Sequence, residues 1–231
     1  MRKRSPLPPI REGQHFYPIV MLPSGQSRAM PSRLRFIAGL LAWGLALGGG
    51  FGWLIAYQMQ PGAPARVPAT WPRDTSLPFD SRRANLVMFA HPKCPCSQAS
   101  LEELKVVLTR ANGEMKATLC FFHPPGEAAD WSETALVRDA RAVPGLEVVI
   151  DRDGHTTARF GVLTSGQILM FDREGRRTFA GGITSARGHA GPNRGRNTVL
   201  ALARGEFCTV EPTPVYGCGL YESPAPASLT R

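Results

Sequence analysis

An uncharged apolar run from Phe36 to Tyr57, FIAGLLAWGLALGGGFGWLIAY, constrains this chain more than any other feature. Its 22 residues match the roughly 20 that a helix needs to cross a bilayer. Trp43, Trp53 and Tyr57 suit interfacial or packed positions, and Arg28, Arg33 and Arg35 flank the N-terminal side. The positive-inside rule keeps that side in the cytoplasm, so the chain after Tyr57 is expected to face outward. A cleaved signal peptide is the rival reading. Its apolar region spans about 7–15 residues and ends at a small-residue cleavage site. The run here is longer, and the nearest candidate, Ala63-Pro64-Ala65, carries a proline. An uncleaved anchor is therefore the expectation. Five glycines between Gly44 and Gly52 weaken helix propensity but are common in membrane spans.

Charge supports this division. The chain of 231 residues carries a formal +9, yet residues 1–35 hold seven Lys or Arg against one acid. The remaining 20 basic and 17 acidic side chains nearly balance. The body therefore lacks the basic footprint of a nucleic-acid binder. Met30 begins a plausible short leader, so either Met1 or Met30 can be the start.

The expected organisation is a basic cytoplasmic tail (1–35), a transmembrane helix (36–57), a Pro-rich linker (58–84), a folded domain (85–205) and a Cys/Pro-rich extension (206–231). Five prolines and no hydrophobic period mark the linker. Within the domain, Leu86–Ala90, Ala117–Phe122 and Leu146–Ile150 are short apolar runs of the buried-strand kind. Residues 97–110 place Leu101, Leu104 and Leu108 on one helical face. Asp130 with Glu133 reads as a capping box for a helix through Arg141. Asp151-Arg152-Asp153-Gly154 is a turn into a short helix ending near Gly161. Residues 167–171 and 177–179 flank a hairpin turn, and a last helix is expected over 197–204. The order β-α-β-α-β-(α)-β-β-α implies an α/β sheet covered by helices on both faces.

Cys94-Pro95-Cys96 lies between the first strand and the first helix. Pro95 fits the first helical position, where its missing N–H is not needed. Cys94 then sits at the N-cap, facing unpaired backbone N–H groups and the positive helix end, and both favour thiolate. Lys93 adds a nearby positive charge. Thiolate is the attacking form in disulfide exchange. A disulfide closed across one residue is strained and labile. The plainer alternatives are packed or metal-ligating cysteines.

A strand, then a Cys motif opening a helix, within this element order resembles the thioredoxin superfamily. Residues 151–171, DRDGHTTARFGVLTSGQILMF, are similar to the corresponding segment of peroxiredoxin-like and membrane-tethered thioredoxin-like proteins. HPKCPCSQASLEEL and GGITSARGHAGPN resemble a bacterial anchored group of RedB type. The resemblance covers residues 85–205. It implies a thioredoxin-like fold, Cys94 and Cys96 as a redox pair, a bacterial inner membrane location with a periplasmic domain, and a protein thiol or disulfide as partner. Two departures stand out. The spacing is Cys-x-Cys instead of Cys-x-x-Cys, and Thr164-Ser165-Gly166 puts Gly166 where the family has a cis-proline.

The missing proline strengthens a metal alternative, copper or zinc held by Cys94 and Cys96 with His91 or His189. His91 by itself reads as a residue hydrogen-bonded at the opening of the helix. Arg187, His189, Asn193, Arg194 and Arg196 lie in a Gly-rich stretch that resemblance puts beside the cysteines. They read either as a site for an anionic substrate or partner, or as a solvated loop. Cys120, in an apolar strand, reads as inert core. Cys208 and Cys218 read as a structural disulfide, with a resolving or relay thiol for Cys94 as the functional alternative. The leading function is an extracytoplasmic thiol–disulfide oxidoreductase without a cofactor. Cys94 attacks and Cys96 resolves. Peroxide reduction, metal delivery and a non-catalytic interaction domain are the alternatives.

Overall fold

The structure, a computed structural model, describes residues 31–221. Most of the basic tail, with Arg28 and Met30, lies outside the described residues. Helix α1 (Ser32–Gln58) covers the apolar run and adds about a turn before it. Its 27 residues span about 40 Å. It buries none of its side chains, and Phe36, Leu45 and Trp53 point outward. It is long and apolar enough to cross a membrane.

The elements that follow are β1 (Ala84–Ala90), α2 (Cys96–Ala111), β2 (Met115–His123), α3 (Ala135–Arg141), β3 (Leu146–Arg152), α4 (His155–Arg159), β4 (Gln167–Phe171), β5 (Arg177–Gly181) and α5 (Arg194–Ala203). This is the order read from the sequence. The sheet runs β3-β2-β1-β4-β5. β1, β2 and β3 pair in parallel, while β4 pairs antiparallel with both β1 and β5. This is the thioredoxin-like arrangement, with β3 added beside β2.

Strand alternation divides the core in two. Leu86, Met88 and Ala90 of β1 face a layer that holds Leu101, Leu104 and Val107 of α2, Val137 of α3 and Val199 of α5. Val87 and Phe89 face the other side, with Phe160, Val162, Leu169 and Phe171. The single turn of α4 covers this second face only in part. Asp151 fixes that turn: its buried carboxylate accepts the N–H groups of Thr156 and Thr157 and the Thr157 hydroxyl.

Three boundaries differ from expectation. α3 is capped by Thr134, whose hydroxyl accepts the Val137 N–H, and not by Asp130. Glu133 pairs instead with Arg141 at 3.0 Å. α5 begins at Arg194, with the Asn193 side chain accepting the Arg196 N–H as its cap. Residues 58–84 are not a free linker. Leu77 is buried, and Trp71 packs against Phe79, Phe160 and Phe171 with ring centres 5.2–5.3 Å away. Trp71 N–H also donates to Gly175 O, and Arg177 N–H to Ala69 O. This segment supplies the apolar cover that α4 is too short to give.

The described part of the C-terminal extension is likewise integral. Thr213 bridges to Gly181, Gly219 bridges to Thr164, and Leu220 N–H donates to Leu163 O at 2.9 Å. Residues 213–221 form a strap across the end of the sheet where β1 meets α2. Gly217 in this strap lies so close to the Ser165 carbonyl that a β-carbon there would overlap it.

Candidate functional site

The head of α2 lies one residue later than the sequence suggests: the helix starts at Cys96, its N-cap is Pro95 and not Cys94, and no side chain caps it. Pro95 is already in the helical region (φ −64°, ψ −28°), and Ser97 N–H donates to Cys94 O at 3.1 Å. Cys94 therefore holds the turn from which the helix starts. Its exposure does not match expectation. Cys94 is only 3 % exposed, while Cys96 is half-buried.

The reason is Cys218. Its Sγ lies 3.0 Å from Cys94 Sγ. All five cysteines are free thiols, and the expected Cys208–Cys218 pairing is replaced by this contact across the fold. Cys208 instead lines a surface groove with Asn193, Arg194 and Asn197. The strap makes the contact possible. Ser165 N–H donates to Cys218 O at 2.9 Å, and Arg187 Nη1 donates to Gly217 O at 2.7 Å.

The three thiols titrate in different directions. Burial works against the Cys94 thiolate, but donation from Cys218 and Ser97 outweighs it and holds the Cys94 pKa below that of an ordinary thiol. Cys96 is pushed up by burial and by the neighbouring Cys94 charge, with Arg187 opposing. Cys218 is pushed up to about 12 by burial, by its hydrogen bond to Cys94 and by the Cys94 charge, with Arg187 again opposing. Cys120 is fully buried, and its pKa is raised well above the ordinary value by burial first and Asp151 second. Both facts agree with an inert core thiol.

Two serines carry the site and were not singled out in the sequence. Ser97 Oγ and Ser165 Oγ are 2.6 Å apart, and Ser165 Oγ accepts the His91 N–H at 2.8 Å. The available signal for Ser97 was its place in the first turn after the N-cap, where a hydroxyl can reach the capping atom. Ser165 stands just before Gly166. Gly166 has φ +90°, donates its N–H to Phe89 O at 2.8 Å, and would put a β-carbon 3.0 Å from Ser100 Oγ. Glycine is the residue that fits this close, left-handed position. No peptide among the described residues is cis. Thr164 Oγ1 donates to Ala63 O at 3.1 Å, so its side chain holds the preceding segment.

The remaining candidates separate. Lys93 Nζ stands 4.2 Å over the Trp131 ring, so its charge is directed there and not at Cys94. His91 Nδ1 accepts the Lys93 N–H. Burial first, and Lys93 second, lower the His91 pKa. Of the Gly-rich stretch, only Arg187 reaches the thiols. It is fixed by donation from its N–H to Gln58 O and from Nε to Gln60 O. His189 is exposed, with Nδ1 donating to Arg187 O. Asn193 caps α5. Arg194 pairs with Glu211 at 2.6 Å, and Arg196 with buried Glu103 at 2.9 Å. Among the described residues, no group of three or more His, Cys, Asp or Glu side chains is placed to hold a metal ion. His91 and His189 are thus not gathered with Cys94 and Cys96 as a ligand set.

No protein-family model and no curated protein matches this chain. Solved structures do. A hypothetical protein from Sinorhizobium meliloti has a TM-score of 0.53 at 21% identity, covering 70% of this chain and 97% of that one. An uncharacterized conserved protein from Geobacillus kaustophilus has 0.51 at 18% identity, covering 72% and 94%. A secreted disulfide oxidoreductase of Mycobacterium tuberculosis has 0.40 at 15% identity, covering 55% and 84%. At these identities the likeness to the first two is one of fold alone.

Proposed function

We propose that this chain is a thiol–disulfide oxidoreductase held at the outer face of a bacterial inner membrane by α1, with Cys94 as its attacking thiolate. The observation that carries the reading is the Cys94 sulfur itself. It lies just before the N-cap of a helix, receives donation from Ser97, and has a second thiol at 3.0 Å. Those contacts stabilise the charged sulfur, the form that attacks a disulfide. Cys94 bonds to one sulfur of a protein disulfide, and the other sulfur leaves and takes up a proton. A second thiol of the chain then releases the first product. The uncharged helix with basic residues before it supports anchoring with the domain outside the cytoplasm. The resemblance of the sequence motifs to the RedB-type group supports this reading.

The test is a redox titration of the full chain in detergent against glutathione buffers, with bound copper and zinc measured in parallel. A two-electron couple that disappears in Cys94→Ser, in metal-free protein, is expected. Stoichiometric copper or zinc that is lost in Cys94→Ser would replace this reading with metal delivery.

A further inference from the structure

Cys94 has two candidate partners, and their geometry differs. Cys96 opens α2 directly after the N-cap Pro95, and its thiol is also a hydrogen-bond partner of Cys94. A disulfide across one intervening residue closes a small, strained ring. No such ring is closed by Cys218. Its sulfur is already 3.0 Å from Cys94, against about 2.05 Å in a disulfide. Its backbone is held on both sides. Cys218 O accepts Ser165 N–H, Gly217 O accepts Arg187 Nη1, Val215 O accepts Gly62 N–H, and Leu220 N–H donates to Leu163 O.

We propose that Cys218 is the resolving thiol of this site, forming a Cys94–Cys218 disulfide that ties the C-terminal strap to the head of α2. The proposal rests on the reading of Cys94 as the attacking thiolate. Once Cys94 is joined to a substrate sulfur, Cys218 attacks Cys94 Sγ. The bond between Cys94 and the substrate breaks, and the substrate sulfur leaves with the proton that Cys218 gives up. In total one substrate disulfide is reduced to two thiols, and two protein thiols are oxidised to one disulfide.

The electrostatics change in the required direction during this sequence. Burial, the hydrogen bond to Cys94 and the Cys94 charge keep Cys218 protonated in the resting state. The mixed disulfide removes the Cys94 charge and so part of the upward push; burial and Cys96 still oppose the Cys218 thiolate, and Arg187 favours it. Cys96, half-buried at the first position of α2, is then a third thiol outside the resolving step.

The proposal is tested on the full chain in detergent, oxidised with glutathione disulfide, acid-quenched and digested without reductant for peptide mapping. The expected product is a Cys94–Cys218 cross-linked peptide. Cys218→Ser is expected to retain glutathione on Cys94, with release slowed by roughly tenfold or more, because the intramolecular thiol is gone. Cys96→Ser is expected to release it at close to the native rate. A dominant Cys94–Cys96 or Cys208–Cys218 peptide, or retention of the adduct in Cys96→Ser and not in Cys218→Ser, overturns the proposal and leaves Cys94 as the attacking thiol. No adduct on Cys94 in any variant overturns both readings.

Discussion

Cys94 and Cys218 are 124 residues apart in sequence, and their sulfurs are 3.0 Å apart in the fold. One thiol is held below its ordinary pKa and the other above it, so the pair shares a proton unevenly. The arrangement rests on a single strap whose hydrogen bonds run to the loop before β4 and to Arg187.

Cys94 alkylation should persist at lower pH than that of an ordinary thiol. Its pKa is depressed, so reactivity is lost only as pH falls through that lowered value. Ser97→Ala removes a donor to the thiolate. A hydrogen bond to a charged group is worth about 1.5–3 kcal/mol, so the pH profile should move upward by about 1–2 pH units. Ser97→Thr should keep it nearly in place. Iodoacetamide kinetics, read at Cys94 by peptide mass, measure both.

Arg187→Met should slow alkylation of Cys96, because Arg187 is the group that opposes the upward push of burial and of Cys94 on that thiol. Cys94, which receives its donors from Cys218 and Ser97, should change less. Arg187→Lys should restore only part of the Cys96 rate, since a lysine cannot also reproduce the fork to Gln60 O and Gly217 O. An unchanged Cys96 profile in Arg187→Met would show that the guanidinium does not act on that sulfur.

Glu103 and Arg196 join α2 to α5 with side chains 3 % and 8 % exposed. Glu103→Ala strands a buried guanidinium and should cost about 3–5 kcal/mol in denaturant unfolding. Replacing both by leucine should recover most of that loss, because the desolvation of both charges is removed together.

Gly166→Pro, which puts a proline where the thioredoxin-like proteins that the sequence resembles carry one, should fail. Proline fixes φ near −65° and has no N–H, whereas Gly166 uses φ +90° and donates to Phe89 O. The expected loss is about 3 kcal/mol or more, read as a lower Tm, and Gly166→Ala should fall between the two.

Apolar runs and the Cys motif made β1, α2, β2, β3 and β4 legible in the sequence, because each is specified by its own residues. Contacts that depend on distant pairing were not. Trp71 and Leu77 sit in a proline-rich stretch without a period, and only the uncovered face of the sheet gives them a place. Asn193 and Arg196 read as loop residues because glycines surround them, yet one caps α5 and the other neutralises Glu103. The cap signal was present at Asn193, as it was at Thr134. Residue type alone made Cys208 and Cys218 alternatives as a relay thiol for Cys94, and nothing near Cys218 in sequence selects it.

The strap also sets an order in time. Synthesis runs from the N-terminus, so Cys94 emerges 124 residues before Cys218. At about 5–20 residues per second, that leaves Cys94 without this neighbour for roughly 6–25 s. During that interval Cys96, Cys120 and, near its end, Cys208 are the other thiols made. The finished site is therefore a late event in the life of the chain, and a molecule truncated before the strap would carry the Cys-Pro-Cys motif without the sulfur environment described here.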